Sequence, residues 1–297
     1  MRRSSSDHRA ILLMIASAFS FAVMNLCVRL SGDLPSLQKS FFRNAVAMVF
    51  AVIVLLKNRG SFVPQKGCKR YILARSLIGT LGIICNFYAI DHIPLADASI
   101  LNKMSPFFVI LFSIFILSER LDAVQALTVC GAFVGCLFVV KPSFAAADFH
   151  ASAIGLAGGL CAGLAYTFVR LLGKKGEKGA LIVFYFSLIS CLTTLPGMLL
   201  SFHPMQPLQL LALLGAGLGA AGGQFCITAA YCRAPAREIS VYDYSQIIFA
   251  TTLGAVVLGE LPDWLSFVGY AIIIGMAVLL FWHNNRPAKD RKTEKSS

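Results

Sequence analysis

Charge is what this sequence has least of. Only 13 % of its 297 residues are Asp, Glu, Lys or Arg, about half the share usual in a soluble globular domain. That scarcity excludes a chain folded as two soluble domains. Catalytic signatures are missing as well. HExxH, GxSxG and a Gly-rich nucleotide loop are all absent, and the five His do not cluster, which argues against an enzyme. Without a nucleotide-binding domain, direct pumping by ATP is disfavoured too. The nine cysteines include no CxxC pair. Seven of them (Cys27, Cys85, Cys130, Cys136, Cys161, Cys191, Cys226) sit inside apolar runs, as small buried hydrophobes rather than disulfides or metal ligands. No cofactor or metal is expected.

What is present in abundance is apolar length. Hydrophobic residues make up 57 % of the chain, and the mean hydropathy is +0.75. They fall into runs of roughly twenty residues, enough for a helix to cross about 30 Å of hydrocarbon. The predicted spans are 10–30, 38–56, 72–90, 97–118, 123–140, 151–171, 180–200, 208–231, 238–258 and 264–282. Arg2, Arg3 and Arg9 ahead of the first span resemble a signal peptide, but no convincing small-residue cleavage site follows. A retained first helix is expected.

The net charge of +12 is not spread evenly. One alternate set of gaps comprises the amino terminus, 57–75, 119–122, 170–178, 232–237 and the carboxyl terminus, and it holds 21 of the 26 Lys and Arg. In the other set Lys141 is the only basic residue, beside Asp33, Asp91, Asp148, Glu260 and Asp263. Cytoplasmic loops carry the positive excess, so both termini are expected in the cytoplasm. Nucleic-acid binding is excluded, because no basic helix or zinc spacing accompanies the charge.

The chain also repeats itself at an offset of 141 residues. Ala89 to Ser99, with Pro94, aligns with Ala230 to Ser240, with Pro235, and Gly82, Cys85 and Glu119 match Gly223, Cys226 and Glu260. Each copy holds five spans, and an odd count forces the second to enter the membrane in the opposite sense. Inverted repeats suit transporters that alternate access to a site near the midplane. Glycines four apart (Gly155, Gly159, Gly163; Gly215, Gly219, Gly223) and the pair Gly131 and Gly135 predict close helix packing.

These residues carry a family likeness. Phe42-Arg43-Asn44, Tyr88-Ala89, Ile93 to Ala98, Pro106 and Glu119-Arg120-Leu121 mark the first half. Pro235, Tyr244-Ser245-Gln246, Gly254, Gly259-Glu260, Gly269 and Gly275 mark the second. Over residues 10–282 the chain resembles the drug/metabolite transporter superfamily, specifically bacterial members with two EamA domains. The resemblance implies an all-α polytopic membrane protein of ten transmembrane helices in two inverted five-helix repeats, 10–140 and 151–282, with 283–297 as a basic cytoplasmic tail. It implies location in the bacterial inner membrane, helices one to four and six to nine around a central path, and five and ten at the periphery. Lys103 and Asp243 depart from the generic family pattern.

A charge in hydrocarbon costs about 2.5–3.5 kcal/mol on insertion scales, so Arg43, Lys103 and Asp243 are the leading candidates for the pathway. Arg43 and Lys103 together suit a carboxylate or phosphate; Asp243 suits an ammonium group or a coupling proton. The alternatives are snorkelling for the two cations and a local ion pair for Asp243. Asn25, Asn86, Asn102, Tyr88, Tyr166, Gln224, Tyr242, Tyr244 and Gln246 supply uncharged polar or aromatic groups, either for a cavity or for helix–helix hydrogen bonds. The expected activity is secondary transport of a small polar metabolite, an amino acid or related compound; the competing reading is a non-transporting membrane interaction or sensor protein. The expected partners are the small-molecule substrate and the lipid bilayer. A coupling proton or other ion, and a second copy of the chain in a homodimer, are further candidates.

Overall fold

The computed structural model describes residues 7–92, 101–140, 149–259 and 262–285. The first half comprises α1 (His8–Leu30), α2 (Ser36–Lys57), α3 (Lys69–His92), α4 (Ser105–Leu117) and α5 (Ala123–Val140). The second comprises α6 (Phe149–Lys174), α7 (Gly179–Leu200), α8 (Pro207–Arg233), the short α9 (Ala236–Ile239), a 3-10 segment (Ser240–Tyr244), α10 (Ser245–Leu258) and α11 (Trp264–Asn285). The run from α9 through α10 makes one span, so the described residues hold eight helical spans long enough to cross a membrane plus the shorter apolar α4 and α5. No strand occurs among the described residues.

Backbone geometry repeats along with the sequence. Ser118, at φ 54°, ends α4 in the left-handed conformation, and Gly259, its equivalent at the 141-residue offset, ends α10 at φ 72°. The glutamate after Ser118 is described; Glu260 lies outside the described residues.

Contacts between the halves come in related pairs. Helix α1 packs on α8 while α6, the counterpart of α1, packs on α3, the counterpart of α8. Likewise α4 meets α6 as α10 meets α1, and α3 meets α7 as α8 meets α2. Two further large contacts are of like with like, α2 on α7 and α5 on α11; α7 touches α8 as α2 touches α3, and α6 also packs on α8. This is the pattern of a pseudo-two-fold axis in the membrane plane. The helices α5 and α11 pack chiefly on each other, at the periphery.

The glycine stripes explain how the pairs approach. A Cβ on Gly219 would lie 2.9 Å from the Met24 nitrogen and the Ser20 oxygen of α1. One on Gly163 would lie 2.8 Å from the Val109 nitrogen of α4. On the outer pair, a Cβ on Gly135 would meet the Gly269 carbonyl at 2.9 Å. Lipid supplies no hydrophobic drive between helices, so backbone-to-backbone proximity and dispersion hold them together.

Burial is uneven along the bundle. The buried residues of α1 all lie between Ala10 and Ala22, and those of α8 run from Leu213 to Tyr231. In α7 burial runs from Leu181 to Met198, with Leu192, Leu199 and Leu200 exposed. The buried half of α1 is the one nearest the basic amino terminus. Toward its other end Asn25 is exposed, while Ser31, Leu34 and Gln38 beyond it are buried.

Candidate functional site

Two spans break, and the breaks meet. In the fourth span Leu101 and Asn102 are helical, Lys103 and Met104 form a turn, and α4 restarts at Ser105. Pro106 stands in the first turn of α4. A proline has no N–H to give to the carbonyl four residues back, so the ladder is interrupted at this point. The amides of Phe107 and Phe108 both turn to the Met104 carbonyl, at 3.0 and 3.2 Å. The ninth span is interrupted by the tighter 3-10 segment Ser240–Tyr244. At the 141-residue offset Lys103 corresponds to Tyr244 and Asn102 to Asp243, so the two interruptions are related by the repeat.

Side chains from each break reach the backbone of the other. Lys103 Nζ donates to Asp243 Oδ2 at 2.9 Å, to the Asp243 carbonyl at 3.3 Å and to Gln246 Oε1 at 2.7 Å. Tyr244 Oη donates to the Lys103 carbonyl at 3.3 Å. The ammonium therefore uses all three of its donors. Both members of the Lys103–Asp243 ion pair are buried. Two predicted candidates thus neutralise each other, with Gln246 and Tyr244 beside them.

The remaining candidates are placed differently. Arg43, half-buried, donates to Met24 Sδ at 3.2 Å. The ring of Tyr166 stacks on Tyr231, with centroids 5.2 Å apart, and Arg43 and Asp243 both lie within electrostatic range of it. Gln224 is buried on α8 and donates to Thr228 Oγ1 at 3.3 Å. Asn86 and Asn102 are half-buried beside the glycine stripe of α6, near Gly158 and Gly159. Tyr242 turns away, its hydroxyl donating to the Ala277 carbonyl of the peripheral α11 at 3.3 Å. Tyr88 is exposed and stacks on His92.

One buried cation escaped the sequence reading. Arg75 lies inside the predicted span 72–90 but is counted with the basic gap 57–75; α3 starts at Lys69 and carries Arg75 about 9 Å along its axis. Arg75 is only 2 % exposed. Its guanidinium lies 4.0 Å from the Phe186 ring centroid and 5.7 Å from that of Tyr166. Arg170, inside the predicted span 151–171 although counted with the gap 170–178, is likewise a buried helix residue, and it pairs with Glu119 at 3.2 Å. Lys174 reaches the same carboxylate oxygen, also at 3.2 Å. Arg170 further donates to the Tyr231 and Cys232 carbonyls, both at 3.4 Å. These contacts join α4, α6 and α8 at one end of the bundle. The lone sequence signal for Arg75 was its spacing, four mostly apolar residues after Arg70.

A broken pair of spans meeting in a polar cluster is a feature shared with known transporters. The description of the EamA-like transporter family matches twice, over residues 8–141 and 151–282. The chain belongs to that family. Among its relatives is the pseudopaline exporter CntI of Pseudomonas aeruginosa, 34 % identical over 91 % of this chain and 95 % of that protein. A riboflavin transporter of Brucella anthropi is 24 % identical over 90 % of this chain and 96 % of its own length. The human solute carrier family 35 member G1 is 24 % identical over 89 % and 76 %. A solved crystal structure superposes with a TM-score of 0.79 at 18 % identity, over 94 % of this chain and 96 % of that one, which is a likeness of fold. The chain is thus a multi-pass membrane protein of a transporter family.

Proposed function

We propose that this chain is a secondary transporter that moves a small polar metabolite, an amino acid or related compound, across the bacterial cytoplasmic membrane. The observation that carries the reading is the Lys103–Asp243–Gln246 cluster at the meeting of two interrupted spans. Interrupted helices at a repeat interface are where transporters of inverted architecture bind solute and coupling ion. The printed functions of the relatives, pseudopaline export and riboflavin transport, favour an organic solute. They also favour transport over a non-transporting sensor.

The halves 10–140 and 151–282 move against each other, with both termini and the tail 283–297 on the cytoplasmic side. Supporting that orientation, the Lys and Arg bias survives when Arg75 and Arg170 are counted with the membrane rather than with the loops. Asp243 is the coupling group: a proton or cation arriving at its carboxylate displaces the Lys103 ammonium and frees Gln246 for solute.

Purified protein in proteoliposomes tests this under an imposed pH gradient with a panel of radiolabelled amino acids and related metabolites. Saturable flux is expected for at least one. Asp243→Asn and Lys103→Ala should each slow it by about tenfold or more, equivalent to about 1.4 kcal/mol. Folded protein that moves no member of the panel counts against transport. Unchanged flux in both variants removes Lys103 and Asp243 from the pathway.

A further inference from the structure

The bundle holds more buried positive charge than its own carboxylates answer. Among the described residues of the spans, Asp243 is taken by Lys103 and Glu119 by Arg170 and Lys174. Among the described residues, Arg43 has a thioether sulfur as its only hydrogen-bond partner. No oxygen among the described residues accepts from Arg75, and its Nε is enclosed without a partner. The hydroxyl of Tyr166 likewise has no hydrogen-bond partner among them. Arg43 and Arg75 lie within electrostatic range of each other and of Tyr166. They are carried by α2, α3 and α6, so both halves contribute.

The site is built, not incidental. Phe186 backs one face of the Arg75 guanidinium at 4.0 Å. A Cβ on Gly79 would run into Arg75 Nη1 and lie 2.9 Å from Phe186, so glycine keeps this place open. Aromatic faces stabilise a guanidinium in place while leaving its edge donors unused. Two like charges held this way repel unless an anion comes between them, and a planar guanidinium edge fits an oxyanion in two-point contact.

We propose that Arg75 and Arg43, with the Tyr166 hydroxyl, form an oxyanion site, and that the transported solute carries a carboxylate or phosphate bound there. This rests on the transport reading and narrows it to anionic or zwitterionic solutes. The Lys103–Asp243 pair then lies beside the site rather than forming its positive wall.

Thermal unfolding of the full chain in detergent tests binding without requiring flux. The probes are citrate, inorganic phosphate and the uncharged ester triethyl citrate, against wild type, Arg75→Gln, Arg43→Gln and Tyr166→Phe. A rise in Tm with citrate or phosphate, but not with the ester, is expected; which anion acts separates carboxylate from phosphate. Arg75→Gln should weaken anion binding on the order of tenfold or more while leaving the ligand-free Tm unchanged or higher. A purely structural Arg75 would lower the ligand-free Tm instead. Should Arg75→Gln not purify folded, Arg43→Gln and Tyr166→Phe give the same readout. Stabilisation by neither anion, equal stabilisation by the ester, or unaltered anion binding in folded variants overturns the proposal. Binding that depends on Arg75 without flux sinks transport and leaves the site standing; flux of an anion unchanged in Arg75→Gln does the reverse.

Discussion

Lys103 and Asp243 illustrate how costly it is to separate two partners once both are away from water. Each is the other's ion-pair partner, and Lys103 adds a third acceptor in Gln246 Oε1 at 2.7 Å. Removing one partner of a buried pair typically costs about 3–5 kcal/mol, whereas replacing both is far milder. Lys103→Met and Asp243→Asn should therefore each lower the Tm of the purified protein, and the double variant should recover most of the loss. A double variant as unstable as the sum of the two singles would show that the residues do not act as a pair. Gly79→Ala is a second residue-scale case. The added methyl collides with the Arg75 guanidinium, and overpacking of this kind costs about 1–3 kcal/mol; a measurable fall in Tm is expected. The leading charged candidates were legible in the sequence because charge within an apolar run stands out. Arg75 did not stand out, although it lies inside the predicted span 72–90, because Lys69 and Arg70 precede it closely and group it with the loop charges.

At the scale of elements, the apolar runs placed the spans but gave no hint that two of them are interrupted. The fourth span reads as continuous over 97–118, and Pro106 is the one residue in it that opposes an unbroken ladder. In the ninth span no proline marks the 3-10 segment, so the break there follows from tertiary contacts such as the Tyr244 hydroxyl on the Lys103 carbonyl. Pro106→Ala restores the missing N–H and should favour a continuous helix. The expected result is a higher Tm with slower flux; faster flux at unchanged Tm would separate the break from transport. The loop before α3 allows a check of orientation. Cys68 is 2 % exposed, and burial, with the neighbouring Glu177 carboxylate, raises its thiol pKa, so the thiolate that reacts with maleimides is scarce. In a background with the other cysteines replaced by alanine, Cys68 should stay unlabelled. A cysteine placed at exposed Lys66 should react only from the cytoplasmic side, and labelling from outside intact cells would reverse the topology.

For the whole molecule, the repeat was legible in the sequence down to its offset, since a proline turn and a glutamate recur in register. The pairing of helices across the halves was not, because sequence says nothing about which helix of one copy lies against which of the other. The uneven burial likewise appears only in three dimensions. Glu119, held by Arg170 and Lys174, ties α4, α6 and α8 together at one end of the bundle. Glu119→Gln should loosen it and shift the population away from the present state. A cysteine at exposed Asn25, in the same alanine background, reports the shift: its labelling from outside should slow in Glu119→Gln, and an unchanged rate would remove Glu119 from the gate.

The pseudo-two-fold pairing of contacts reaches further than architecture. A molecule made of two identical, oppositely inserted copies would have two shapes of equal energy, each obtained from the other by exchanging the roles of the halves. Here the copies are not identical. Lys103 stands opposite Tyr244, Asn102 opposite Asp243 and Arg75 opposite Ala216. The preference for one resting shape is therefore written in the positions where the duplicates have diverged, and making the copies alike at those positions should bring the two shapes towards equal occupancy.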